Sequence, residues 1–228
     1  MTVVSIKTTG PEAGPLISRI GLSDGSLFSF NHTYLPPFWQ GGAFFLPGKE
    51  LLGDELEAVR FAAACFRTER AALRLVARAE QTRAGLARKL EHRGHTPSCI
   101  RVVISHLADL EVVSDQRYAG LWLQSRLARG AHSPLQLLNA LSNRGIDRDT
   151  ARAALKSALD FEHELALLGR YLTKSVTKSV AKSVTKSAAT GRFSGAGKDS
   201  FLKQRLKHEG FSPSVVQWFW EENRHCKE

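Results

Sequence analysis

A repeated pattern of two leucines and a glycine constrains the fold of this chain more than any other feature of its sequence. The pattern Leu-x3-Leu-x3-Gly occurs three times, over residues 86–94, 137–145 and 202–210. Leucines four residues apart lie on one face of a helix. A glycine, which has no Cβ, takes the left-handed conformation that ends a helix. Each copy therefore predicts an amphipathic helix that ends at Gly94, Gly145 or Gly210.

A second helix is predicted after each of these glycines. Two residues beyond each glycine stands a side chain of the kind that caps helix N-termini: Thr96, Asp147 and Ser212. Apolar residues at helical spacing follow all three caps, which completes a helix, a tight turn and a helix.

A longer helical pattern precedes each pair. These leading helices are expected over residues 55–79, over 115–129 and from 160 onward, with Asp54 as the N-cap of the first. Within the pairs, Thr82 is expected to cap one helix. Ser133 is expected to cap another, in a capping box with Gln136.

Three three-helix units in a row predict a mainly α-helical protein, an elongated array of three tandem three-helix repeats. The first residues are rich in glycine, proline and aromatics, and they predict a small irregular cap with a β-hairpin whose strands lie at 16–20 and 26–30. The expected segments are 1–53 for the cap and 54–113, 114–158 and 159–228 for the repeats.

The charge of the chain is unevenly distributed. The net charge is +10, from 32 basic and 22 acidic residues. Residues 1–58 carry three bases and six acids, a balance of −3, so the remainder carries +13. A basic body of this kind attracts polyanions, above all nucleic acid.

Residues 173–187 form a low-complexity segment in which lysine and valine each recur every four residues. On a helix, this spacing places a basic stripe beside a valine stripe. Two interpretations stay open: an expansion that only lengthens a helix or linker, and a basic ridge that faces phosphates or a filament. The valine stripe is too small to indicate membrane binding.

Motifs that would indicate catalysis are missing from the sequence. Residues 195–198 read Gly-Ala-Gly-Lys, but Arg192 and Asp199 stand where a phosphate loop needs glycine and a hydroxyl residue, so a plain loop is expected there. Neither HExxH nor GxSxG occurs. We therefore expect no enzyme activity, no cofactor and no metal.

The cysteines and the hydropathy indicate the compartment. Cys65 and Cys99 are expected to be buried thiols, because three widely spaced cysteines suit neither a disulfide framework nor a zinc site. No apolar stretch is long enough to span a bilayer, and the first residues do not form a secretory signal. We expect a cytoplasmic protein.

Three stretches of this sequence resemble the RecX family of RecA regulators. They are Ala72–Arg78 leading into Thr82-Arg83 and Leu86–Leu90; Ser114–Ala119; and Arg126 with Arg129-Gly130, followed by Asn143–Ile146. The likeness covers about residues 55–223. Gly85, Leu135-Gln136 and Glu209 depart from the residues usual in that family, and the lysine segment is an addition to it.

The resemblance implies a function. Such proteins bind RecA, lie along the groove of its filament on single-stranded DNA, and restrain ATP hydrolysis, strand exchange and promotion of repressor cleavage. We expect a monomer that also binds DNA without sequence preference, with double-stranded DNA as a second target. The side chains expected to face DNA or the filament are Arg83, Arg88, Lys89, Arg93, Arg117, Arg126, Arg129, Arg144, Lys174, Lys178, Lys182, Lys186, Lys203 and Arg205.

Two other functions remain as alternatives. A tight helix–turn–helix is also how many transcription regulators read the major groove, so a stand-alone DNA-binding protein is the first. An enzyme acting on nucleic acid is the second, and it lacks a visible catalytic group.

Overall fold

The computed structural model describes residues 1–10, 16–39, 45–184 and 195–225. The chain divides into two compact units, Met1–Ser114 (unit 1) and Asp115–Glu228 (unit 2). The described strands and helices are β1 (Val3–Thr9), β2 (Ile17–Leu22), β3 (Leu27–Asn31), α1 (Gly53–Val76), α2 (Arg83–Glu91), α3 (Pro97–Asp109), α4 (Asp115–Arg129), α5 (Pro134–Ser142), α6 (Arg148–Ala158), α7 (Phe161–Val184), α8 (Gly195–His208) and α9 (Pro213–His225). The prediction of a mainly helical chain with a small N-terminal β element is confirmed.

The N-terminal sheet has three antiparallel strands in the order β1-β2-β3, one more than the predicted hairpin. Strand β1 is not among the predicted strands. Most side chains of β1 are polar or exposed, so its apolar pattern is weak. Ile20 and Phe30 from the other two strands are fully buried and form one core with Val59 and Ala62 of α1.

Helix α1 begins one residue before the predicted cap. Its N-cap is Leu52, and Asp54 lies in the first turn, so the expected role of Asp54 is wrong. The leucine side chain cannot accept a hydrogen bond from the helix N-terminus. The Glu55 carboxylate instead accepts from the Leu52 backbone amide at 3.2 Å, which is one half of a capping box. The helix ends at Val76, three residues before the predicted end.

The three glycine turns are confirmed. The φ angles are +79° at Gly94, +83° at Gly145 and +88° at Gly210, in the left-handed region that glycine tolerates. Thr82 and Ser133 also cap as expected: Thr82 Oγ1 accepts from the Gly85 amide at 2.9 Å, and Ser133 forms the capping box with Gln136.

The three caps that follow the glycines behave differently. Asp147 accepts from the Asp149 and Thr150 amides at 3.0 and 2.9 Å, as expected. Thr96 occupies the N-cap position but makes no side-chain capping bond. The Ser212 hydroxyl donates to Glu164 at 2.9 Å, and the Ser212 amide donates to the same carboxylate at 2.6 Å.

The core of unit 2 combines residues from the second and third predicted repeats. Leu123, Leu137 and Leu141 are buried in one cluster with Leu167 and Leu168 of α7. Within α8, Leu206 is buried but Leu202, the first leucine of the third repeat, is 38% exposed. Residues 195–198 begin α8, so the expectation of a loop there is wrong. The division at 54, 114 and 159 stays a prediction.

Candidate nucleic-acid interface

Trp122 organises a group of predicted cations in unit 2. Trp122 and Arg126 stand one helical turn apart on α4, and Arg144 lies directly before Gly145 in the turn after α5. The Arg126 Cζ lies 5.4 Å and the Arg144 Cζ 4.6 Å from the centre of the indole ring, both within the range of cation–π attraction. Arg144 also donates to the Ala140 carbonyl at 2.7 Å. The two guanidinium groups are thus held on a half-buried aromatic surface.

His132 joins Lys174 to the same group. Burial, then the charge of Lys174, then that of Arg126 holds the pKa of His132 below its usual value. Both cations must therefore lie close to the imidazole. Gly130 permits this arrangement, since a Cβ there would clash with the Arg126 carbonyl and the His132 ring. Arg126, Arg144 and Lys174, which are 48 residues apart at most, form one basic surface in unit 2, called here the Trp122 cluster together with Trp122 and His132.

Three further predicted cations meet in unit 1. Arg88, Lys89 and Arg93 line a shallow groove of about 640 Å³, together with His92 and with Leu75 and Gly85. Lys89 Nζ donates to Gln81 Oε1 at 2.6 Å, and all three cations are exposed. Because Gly85 has no side chain, it adds neither bulk nor negative charge to the groove.

Two arginines beside this groove are absent from the sequence-based prediction. Arg67 and Arg74 lie on α1, and with Arg93 they lower the pKa of His95, after the larger effect of burial. The only sequence signal for them is weak: Arg60, Arg67 and Arg74 recur every seven residues, as charged residues on many solvent-exposed helix faces do.

The remaining predicted cations whose side chains the structure describes are not brought into either group. Arg83, Arg117 and Arg205 are exposed on α2, α4 and α8. Lys203 Nζ lies 5.5 Å from the centre of the Trp220 ring, a separate cation–π contact in unit 2. Lys186 lies outside the described residues, as do the side chains of Arg129, Lys178 and Lys182.

In the described residues, no group of three or more His, Cys, Asp or Glu is arranged to hold a metal ion. Cys65 and Cys99 are buried, as predicted. Burial raises the pKa of Cys65, which disfavours the reactive thiolate. Among the same residues, no helix combines the length and the apolarity that crossing a bilayer requires.

Helix–turn–helix pairs that follow one another along the chain, together with a small N-terminal sheet, define the class of helical-repeat proteins. Comparison with known proteins identifies the family within this class. Residues 114–155, which include Trp122, Arg126 and Arg144, match the family model described as RecX, second three-helix domain.

Regulatory protein RecX of Treponema pallidum is 30% identical over 164 residues, which cover 72% of this chain and 90% of that protein. Regulatory protein RecX of Chromohalobacter salexigens is 32% identical over 143 residues, 63% of this chain and 80% of that protein. The chain belongs to the RecX family of regulatory proteins. A solved structure of a regulatory protein RecX has the same fold, with a TM-score of 0.60 and 18% identity, and the match covers 95% of this chain and 97% of that one.

Proposed function

We propose that this protein binds RecA and the RecA filament on single-stranded DNA, and that it inhibits ATP hydrolysis, strand exchange and coprotease activity. It would act as a cytoplasmic monomer that binds DNA without sequence preference. Membership of a regulatory family supports the general role. The observation that carries the DNA-binding part is the Trp122 cluster, because it gathers predicted cations from three elements onto one surface.

The chemistry of the cluster suits a phosphodiester backbone. Guanidinium groups bind phosphate oxygens through paired N–H donors, and a lysine adds a point charge. Cation–π contacts with Trp122 restrict Arg126 and Arg144 before binding, so less side-chain freedom is lost when phosphate binds. None of these contacts reads a base edge, which favours binding that is sensitive to salt and indifferent to sequence.

The basic surface also suits a polymeric target. Contacts to several neighbouring protomers or nucleotides raise the overall affinity even when each contact is weak. A protein bound in this way restrains a filament without a catalytic group of its own.

The test is the single-strand-dependent ATPase of RecA, measured while this protein is titrated to substoichiometric amounts. We expect hydrolysis to slow, and the Arg126→Gln/Arg144→Gln variant to need more protein for the same effect. The variant Arg19→Gln/Arg101→Gln, which removes two exposed charges in unit 1, serves as the matched control. Unchanged hydrolysis across the titration, with folded wild-type protein, would reject the proposal.

A stand-alone DNA-binding protein is the second candidate, and α6 supplies a specific observation for it. This helix is the second of its pair, the position of a recognition helix, and it exposes Arg148, Arg152 and Lys156 at four-residue intervals. Arg152 is partly engaged by Asp149 at 3.3 Å. Selection from random duplexes separates the two functions: a strong preference for one sequence, lost when these three residues become glutamine, would favour the second.

A further inference from the structure

His95 lies in the α2–α3 turn and is hydrogen-bonded to Thr68 of α1. Thr68, which is 1% exposed, donates its hydroxyl proton to the Ala64 carbonyl at 2.9 Å. The same hydroxyl oxygen lies 2.9 Å from His95 Nδ1. With the one hydroxyl proton directed at the Ala64 carbonyl, Nδ1 donates to Thr68 Oγ1. Nε2 is then the nitrogen that can gain a second proton.

Only cations contribute charge effects at this imidazole. Arg67 and Arg74 face it from α1, and Arg93 faces it from the turn that contains His95. All three arginines are exposed, and none of their side chains has a hydrogen bond or ion pair within the described residues. Burial and these three charges together hold the pKa of His95 below its usual value. Three guanidinium groups without ion-pair partners, beside an imidazole whose protonation they oppose, are suited to binding an anionic ligand.

The surrounding surface extends the site. Arg93 also lines the groove that contains Arg88 and Lys89, so the arginines around His95 continue into that basic groove. A single phosphate would engage only part of this surface. A chain of phosphates matches it better, because successive charges of the polymer can meet successive cations.

We propose that Arg67, Arg74 and Arg93 bind the phosphodiester backbone of single-stranded nucleic acid, and that His95 takes up a proton at Nε2 when this backbone binds. The inference rests on the proposed nucleic-acid binding and assigns unit 1 a site of its own. The phosphates offset the positive charge that opposes protonation, and the imidazolium then adds a fourth cation. Affinity should rise as the pH falls, by less than about tenfold per pH unit for one histidine.

The experiment uses the full chain and oligothymidylate, whose base does not titrate in this pH range. The pKa of His95 is measured by NMR with and without the oligonucleotide, and the His95→Gln spectrum provides the assignment. We expect the pKa to rise on saturation. The Arg67→Gln/Arg74→Gln variant should abolish this rise and lower the slope of log affinity against log salt by about 1.4, at about 0.7 for each lost single-strand contact.

Arg19→Gln/Arg101→Gln is the matched control, because it removes the same charge from exposed positions that do not act on His95. It should leave the rise in the His95 pKa intact. An unchanged pKa while oligothymidylate still binds would overturn this site and leave the proposed function standing. A rise with inorganic phosphate but not with oligothymidylate would also overturn it. Failure of wild-type protein to bind any nucleic acid would reject the DNA-binding part of the proposed function and this site together.

Discussion

Replacing Arg126, Arg144 and Lys174 with glutamine should change how nucleic-acid binding depends on salt. Each phosphate contact to a single strand contributes about 0.7 to the slope of log affinity against log salt, so three lost contacts lower the slope by about 2. Between about 50 and 200 mM salt, the affinity of the variant should therefore fall about 20-fold less than that of the wild type. Fluorescence anisotropy of labelled oligothymidylate at constant pH measures both slopes.

Trp122→Leu separates two effects of the Trp122 cluster: the positive charge of its cations and the restriction of the arginine side chains by the indole ring. This variant keeps all three cations, so its salt slope should stay close to that of the wild type. It loses the two cation–π contacts that order Arg126 and Arg144 in the free protein, so binding must immobilise both side chains at a cost of about 0.5–1.5 kcal/mol each, and affinity should fall several-fold.

Two comparisons make this test decisive. The control variant, Lys7→Gln/Arg19→Gln/Arg101→Gln, removes three exposed charges from unit 1 and should alter the slope little. A wild-type slope in the triple variant of the Trp122 cluster, with its helical circular dichroism preserved, would refute the assignment of these residues to the interface. A large loss in Arg148→Gln/Arg152→Gln/Lys156→Gln instead would move the interface to α6.

Three further predictions concern the fold, and each is measured by urea unfolding. Ser133→Ala should destabilise unit 2 by about 2–4 kcal/mol, because this fully buried hydroxyl caps α5 and donates to Glu209 at 2.6 Å; a loss below about 0.5 kcal/mol would contradict this. Gly94→Ala should cost about 1–2 kcal/mol for its left-handed φ, and Gly210→Ala more, because its Cβ would also press on α5 from 3.3 Å; equal costs would contradict this. The lowered pKa of His132 means that the unfolded chain binds more protons, so stability should fall as the pH drops through about 6.5, the ordinary histidine pKa; His132→Gln should weaken this dependence.

The helix–turn–helix pairs could be predicted because their information is local. Gly94, Gly145 and Gly210 need only their own backbone conformation to end a helix, and all three adopt it. Strand β1 could not be predicted in the same way. Its backbone hydrogen bonds are made to β2, and its own sequence lacks the alternation of apolar and polar residues that indicates a strand. The structure of β1 therefore depends on pairing with β2 more than on its own side chains.

The candidate interface was only partly predictable for the same reason. Arg126 is exposed on α4 and Arg144 is half-buried in the turn after α5, and both were expected at an interface. Their shared contact with Trp122 requires that α4 and the end of α5 pack together, which no spacing in the sequence specifies. Arg67 and Arg74 were missed because what distinguishes them is their distance from His95, which depends on tertiary packing.

The two histidines with lowered pKa connect stability with binding. His95 and His132 each stand directly before a helix N-cap, partly buried and close to cations, in units 1 and 2 respectively. In the free protein both surroundings oppose protonation, so acid weakens the fold. A bound polyanion would offset the neighbouring positive charges and favour the same protonation, so acid should strengthen the complex. One set of residues should therefore produce two pH dependences of opposite sign, and this pairing of signs would not arise if the cations around these histidines were only a solvated surface.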